Sequence, residues 1–271
     1  MAPVPKRLRL AVLATASGAL LLLALAVAVP AFAATPKYTA LGDSYSSGVG
    51  TRTYITDGST CSRSTYAYPS LAATKLGAAL TFAACGGATV SSVLSGQLGS
   101  LGAATTYVTI SVGGNDAGFG NVIQRCALPW PYTCWGDIDN AEAYMRGTLP
   151  GALDTLYAKI RSLAPAARVV VVGYPRLFNV SDCQSLARIS PGEQSALNGG
   201  ADLLDSTIAA RAAAHGFRFV DPRAAFGGHA VCDSVEWING LSNPTSESYH
   251  PNRTGQASGY APLVESALTA A

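Results

Sequence analysis

The sequence is poor in the residues that mark several large classes of protein function. Of its 271 residues only 13% are charged, three are histidine and two are methionine. After Val29 no apolar run is long enough to cross a bilayer, which excludes a polytopic membrane protein. No C-x-x-C occurs, and no histidine stands at ligand spacing from a cysteine pair, so no metal is expected. Gly48-Val49-Gly50 has no Gly-Lys-Ser/Thr after it, which rules out a phosphate loop. There is also no basic stripe. The net charge of +2 includes Lys6, Arg7 and Arg9, which precede the first apolar run with no acidic residue beside them. Without them 15 basic residues face 16 acidic ones, so nucleic acid is not expected as a partner. What the chain does have is 49% apolar residues at low charge, which excludes a disordered polymer.

The segment before residue 34 has the form of an export signal. Lys6, Arg7 and Arg9 supply a positive start, Ala11 to Val29 an apolar stretch, Pro30 a helix break, and Ala31-Phe32-Ala33 a small-x-small cleavage site. Cleavage is expected after Ala33; an uncleaved anchor is the alternative, because the run is long enough to span. Either route delivers residues 34–271 to an oxidising compartment, and secretion to the extracellular space is expected. All six cysteines lie in that part. Six allow fifteen pairings. Neighbour pairing is the simplest: Cys61–Cys85, Cys126–Cys134 and Cys183–Cys232. Loop entropy gives each such bridge about 2.5 to 4 kcal/mol.

Residues 34–271 read as one domain in which short apolar runs alternate with helical stretches. Strands are expected at Tyr38 to Leu41, Leu80 to Ala84, Tyr107 to Val112, Arg168 to Val172 and Phe217 to Val220. Helices are expected at Tyr68 to Leu76, Val90 to Leu101, Leu149 to Leu163, Gln194 to His215 and Asn252 to Leu268. Cys126 to Asn140 and Ala224 to Tyr249 interrupt the alternation and read as loops. This order predicts a mostly parallel sheet covered by helices on both faces. In such sheets ligands sit beyond the carboxyl ends of the strands. Polar residues just after Leu41, Ala84, Val112, Val172 and Val220 are therefore the ones to weigh.

Four blocks stand out, most of them at those strand ends. They are Gly42-Asp43-Ser44, Cys85-Gly86-Gly87-Ala88-Thr89, Gly113-Gly114-Asn115-Asp116, and Glu247-Ser248-Tyr249-His250-Pro251 near the C-terminus. In this order the chain resembles the GDSL, or SGNH, family of serine ester hydrolases, whose blocks centre on Ser, Gly, Asn and His. "ALGDSYSSGVG" and the cysteine layout are most similar to the lipases and esterases secreted by Streptomyces. The resemblance implies a three-layer α/β/α sandwich with a flavodoxin-like sheet, and no cofactor.

It also implies roles. A serine hydroxyl needs a base to take its proton, and the tetrahedral intermediate needs N–H donors for its oxyanion. Ser44 would be the nucleophile and His250 the base. The N–H groups of Ser44 and Gly87 and the amide of Asn115 would form the oxyanion hole. Gly86 is the rival of Gly87, which is preferred because it directly precedes Ala-Thr. The family's usual third member is an Asp three residues before the histidine, where this chain has Glu247. Either Glu247 or the main-chain carbonyl of Ser248 would orient His250, and the carbonyl is preferred. Asp43 and Asp116 read as acceptors for backbone amides that hold the turns. His215 reads as a helix-end residue and His229 as structural. Trp130, Tyr132 and Trp135, with Phe119 near the Asn115 turn, either face an acyl chain or lipid surface or pack the Cys126–Cys134 loop. An ordinary imidazole would make activity fall below about pH 6 to 7.

The expected activity is hydrolysis of acylglycerol and similar esters through an acyl-enzyme, by a monomer whose partner is a lipid or small ester and which does not insert stably in a membrane. A phospholipase A1 acting at the same site is the alternative within the enzymes. An inactive secreted binding protein on this fold is the alternative outside them.

Overall fold

The computed structural model describes residues 1–3, 34–129, 131–183 and 189–270. Apart from residues 1–3, the expected export signal lies outside the described residues, as does Trp130. Five strands, β1 (Lys37–Gly42), β2 (Ala79–Phe82), β3 (Tyr107–Ser111), β4 (Arg168–Val172) and β5 (Arg218–Val220), form one sheet in the order β2-β1-β3-β4-β5. Every pairing is parallel. This is the flavodoxin-type order, in which the direction of strand addition across the sheet reverses between β1 and β3. β1, β3 and β4 are almost wholly buried, which is why they read as unbroken apolar runs; the edge strands β2 and β5 are only partly covered.

The helices are α1 (Ser44–Ser47), α2 (Tyr68–Leu76), α3 (Val90–Gly96), α4 (Phe119–Cys126), α5 (Trp135–Gly147), α6 (Leu149–Leu163), α7 (Pro191–Ala214) and α8 (Ala261–Thr269). α2 and α8 pack together and reach the sheet through β2, β4 and β5. α6 packs on α3 and α7, α7 on β4 and β5, and α5 lies over α6 and α7. The result is a three-layer α/β/α sandwich. Several helix ends follow directly from residue type. Gly77, in the left-handed region, stops α2. Ser190 and Glu193 close a capping box at the start of α7, and His215 caps its end.

Two expectations are corrected. Cys126 to Asn140 is not one loop, because α4 ends at Cys126 and α5 starts at Trp135. The last helix also does not run uniformly from Asn252. Gly255–Tyr260 forms a wide π-type segment before α8. A Cβ on Gly259 would fall 2.3 Å from the Phe226 ring and one on Gly255 2.5 Å from the Trp237 carbonyl. Pro262 then removes a backbone donor in the first turn of α8. Disulfides join Cys61 to Cys85, Cys126 to Cys134 and Cys183 to Cys232. Thr35–Ala271 forms one compact unit, and no described helix is long and apolar enough to cross a membrane.

Candidate active site

Ser44 opens α1 immediately after β1. Gly42 makes the turn with φ +118, and a Cβ there would lie 2.3 Å from the Ser111 carbonyl oxygen, so only glycine fits. Asp43 caps α1 by accepting the Tyr45 N–H at 3.0 Å. The same carboxylate accepts the Ser111 hydroxyl at 2.8 Å and the Tyr174 hydroxyl at 2.5 Å. Burial pushes Asp43 up to about 6, against the pull of those hydrogen bonds from Tyr174, Ser111 and the Tyr45 amide. Asp43 therefore ties the ends of β1 and β3 to Tyr174 beyond β4, and it holds two hydroxyls as well as the expected amide. Asp116 accepts the Val90 N–H at 3.1 Å, which fixes the start of α3 to the β3 turn.

His250 arrives on the loop before α8. Its Nε2 lies 2.8 Å from Ser44 Oγ, and its Nδ1 lies 2.8 Å from the Ser248 carbonyl. A carbonyl only accepts, so Nδ1 carries the proton and Nε2 is free to accept the Ser44 hydroxyl. Glu247 does not reach the imidazole. Its Oε1 accepts the Tyr54 hydroxyl at 2.6 Å and its Oε2 lies 3.4 Å from Arg52 Nε. Burial pushes His250 down to about 4, opposed by the Ser248 carbonyl and by the charge of Glu247.

Ser44, Gly87, Asn115 and His250 line one cavity, and the first three carry N–H groups to consider there. Ser44 is the first residue of α1, so its N–H has no partner within the helix. The Gly86 N–H is taken by the Cys61 carbonyl at 2.9 Å, whereas among the described residues the Gly87 N–H meets no acceptor. Gly87 has φ +78, a conformation that suits glycine. Asn115 Nδ2 donates one hydrogen to the Ala88 carbonyl at 3.0 Å, which orients the amide and leaves its second hydrogen free.

Several residues that hold the site were given no role in it from sequence, Gly50 among them, which was weighed only as part of a phosphate loop. A Cβ on Gly50 would lie 2.9 Å from His250 Cβ and 2.7 Å from the Pro251 carbonyl, so its glycine lets the histidine loop close on the serine loop. Asn239 pins that loop, donating from Nδ2 to the Gly50 carbonyl at 2.9 Å and from its backbone N–H to the His250 carbonyl at 2.9 Å. Tyr45 donates to the Tyr249 carbonyl at 2.8 Å. The Gly-Val-Gly after the GDS block was the available signal, since paired glycines mark close backbone approach.

The cavity has a volume of about 890 Å³. One side is apolar: Phe119, Val122 and Ile123 of α4, Ile138, Ala141 and Met145 of α5, and Leu197, Ala201 and Leu204 of α7. Phe119 thus faces the site. Tyr132 and Trp135 do not line it; they are about half exposed, with Arg125 over the Tyr132 ring. His215 bonds Asp154, and His229 stacks on Trp237 and bonds the Val235 carbonyl. Neither lines the cavity. Among the described residues no cluster of His, Cys, Asp and Glu could hold a metal ion.

A parallel sheet with these blocks gathered where its topology reverses defines an ester hydrolase of the α/β/α sandwich type. More particularly, the chain belongs to the GDSL-like lipase/acylhydrolase family, whose sequence profile matches residues 40–257. It is 45% identical over 237 residues to Lipase 1 of Streptomyces coelicolor, covering 87% of this chain and 88% of that one. It is also similar to the crystal structure of an extracellular lipase from Streptomyces rimosus, with TM-score 0.82 and 42% identity over 86% of this chain and 100% of the other. The structure of a phospholipase A1 from Streptomyces albidoflavus matches with TM-score 0.82 and 43% identity, over 86% of this chain and 99% of that one.

Proposed function

We propose that this ester hydrolase works through an acyl-enzyme on Ser44, with His250 as its base and no carboxylate bonded to the imidazole. The observation that carries the reading is the Ser248–His250–Ser44 relay, with both of its links at 2.8 Å. His250 Nε2 takes the Ser44 proton as Oγ attacks the ester carbonyl. The oxyanion forms against the N–H groups of Ser44 and Gly87 and the Asn115 amide. His250 then protonates the leaving alcohol, and water repeats the sequence to release the acid. The Ser248 carbonyl orients the ring and fixes its tautomer. The three disulfides and the expected signal support secretion, and the lipases among the relatives support action on lipid or small esters; cleavage after Ala33 and a monomeric state complete the reading.

Replacing Ser44 with Ala should remove ester hydrolysis while leaving thermal unfolding unchanged. Hydrolysis that survived the change would overturn the reading. N-terminal sequencing of the secreted protein tests the cleavage point. The equal likeness to a phospholipase A1 supports a second reading, in which phosphatidylcholine is attacked at the same serine. Relative rates on phosphatidylcholine and tributyrin distinguish the two.

A further inference from the structure

We propose that the apolar space between α5 and α7 is the acyl-chain site, and that Gly200 sets the length of chain it admits. This rests on the reading of Ser44 as the acylated residue and goes further by naming the position that decides specificity.

α7 turns one face to the cavity, with Leu197, Gly200, Ala201 and Leu204 at helical spacing. α5 answers with Ile138, Ala141 and Met145, also at helical spacing. An extended hydrocarbon leaving the carbonyl at Ser44 meets only apolar walls on this side, apart from Glu142.

Gly200 is the anomaly in that face. Glycine in the middle of a helix is unfavourable for the fold. A buried glycine is usually required by a positive φ or by close approach of another group. Gly200 has neither. Its φ is helical, and an added Cβ would meet no atom within 4 Å although the residue is buried. Every other buried glycine of the described residues has a neighbour inside that distance, as Gly42, Gly50, Gly173 and Gly259 do. The empty volume over Gly200 is therefore part of the cavity, and a side chain there would project into it. The neighbouring Gly199 also has open space, but on the exposed side of the helix.

The test compares kcat/KM on p-nitrophenyl butyrate and palmitate for wild type, Gly200→Leu, Gly200→Ala and Gly199→Leu, with thermal unfolding of each. Each methylene denied burial costs about fourfold in kcat/KM. Gly200→Leu should lower the palmitate-to-butyrate ratio by roughly fiftyfold, as three methylenes are displaced. Gly199→Leu should leave the ratio unchanged. If Gly200→Leu does not unfold cooperatively, Gly200→Ala carries the test: its ratio should fall about fourfold, while its Tm stays level or rises by about 2 °C. An unchanged ratio in a folded Gly200 variant would overturn the proposal, as would a wild-type protein that cleaves butyrate but no longer ester. Either result leaves the Ser44 reading standing, because loss of butyrate hydrolysis in Ser44→Ala tests that separately.

Discussion

Tyr54 donates its hydroxyl to Glu247 Oε1 at 2.6 Å and so engages the carboxylate that stands where this family's usual histidine partner would be. Glu247 still acts on His250 by charge, because its carboxylate raises the affinity of the imidazole for a proton. It makes no hydrogen bond to the ring, whose Nδ1 is engaged by the Ser248 carbonyl. Glu247→Gln keeps the acceptor for Tyr54 and removes the charge. It should lower kcat/KM by about tenfold at most, the order of one unscreened charge interaction, and move the acid limb of the profile to lower pH. A loss near ten-thousandfold, which is what removing a bonded triad carboxylate costs, would show that Glu247 is a direct partner of the histidine.

The pH profile follows from the burial of His250. With its pKa pushed down to about 4, the imidazole stays neutral through the weakly acidic range. On a soluble neutral ester, kcat/KM should hold down to about pH 5 and fall through about pH 4. A midpoint at 6 to 7 would mean that the ring titrates as in water. Stability changes in the same sense. The unfolded state takes up this proton below about pH 6.5 and the folded state only near 4, so folding free energy is lost as pH falls through that window. Recovery of rate on return to neutral pH separates titration from unfolding.

Gly50→Ala tests the close approach of the serine and histidine loops. The new Cβ would stand 2.9 Å from His250 Cβ and 2.7 Å from the Pro251 carbonyl, at a residue with φ +96. The loop must move, and a shift of about 1 Å at a catalytic base costs roughly a hundredfold in rate. The expected result is a fall of about that size in kcat, with a smaller change in KM, in a protein that still folds. Unchanged kcat would remove Gly50 from the account.

Tyr174→Phe deletes the hydroxyl bonded to Asp43 at 2.5 Å and leaves a buried carboxylate short of one donor. The cost should be about 1 to 3 kcal/mol at pH 7. The sign of its pH dependence is fixed. Asp43 has a folded pKa raised to about 6, so its contribution to stability is fully present below about pH 4 and is lost as pH rises through 6. Removing a donor to the charged form raises that pKa further. The deficit of the variant should therefore be smaller near pH 4 than at pH 7, as measured by urea unfolding at the two values. An equal deficit at both would make the loss one of packing alone.

The sequence was most informative where one physical demand dominated. Tyr68–Leu76, Leu149–Leu163 and Arg168–Val172 stand at the expected bounds, because a proline start, an apolar stripe and a β-branched run each point to one structure. Ser44, Gly87, Asn115 and His250 were assigned by the resemblance of four sequence blocks to the GDSL family, and all four line one cavity. α5 was not legible. Its buried residues are only Ile138 and Met145, which with Ala141 serve the core and the cavity wall at once and leave too short a stripe to read as a helix. α4 did carry a signal, in Phe119, Val122, Ile123 and Cys126 at helical spacing, but the Pro- and aromatic-rich stretch after it masked the pattern. The contribution of Tyr54, Asn239 and Tyr174 lies in contacts spanning up to 193 residues, which no local pattern encodes.

The most direct test of the account is peptide mapping after treatment with a fluorophosphonate, which reacts with a serine only when a neighbouring base activates it. The account predicts a single adduct per chain on the peptide carrying Ser44, and its loss in His250→Ala. No adduct on the folded protein, or an adduct that maps to another serine, would contradict it.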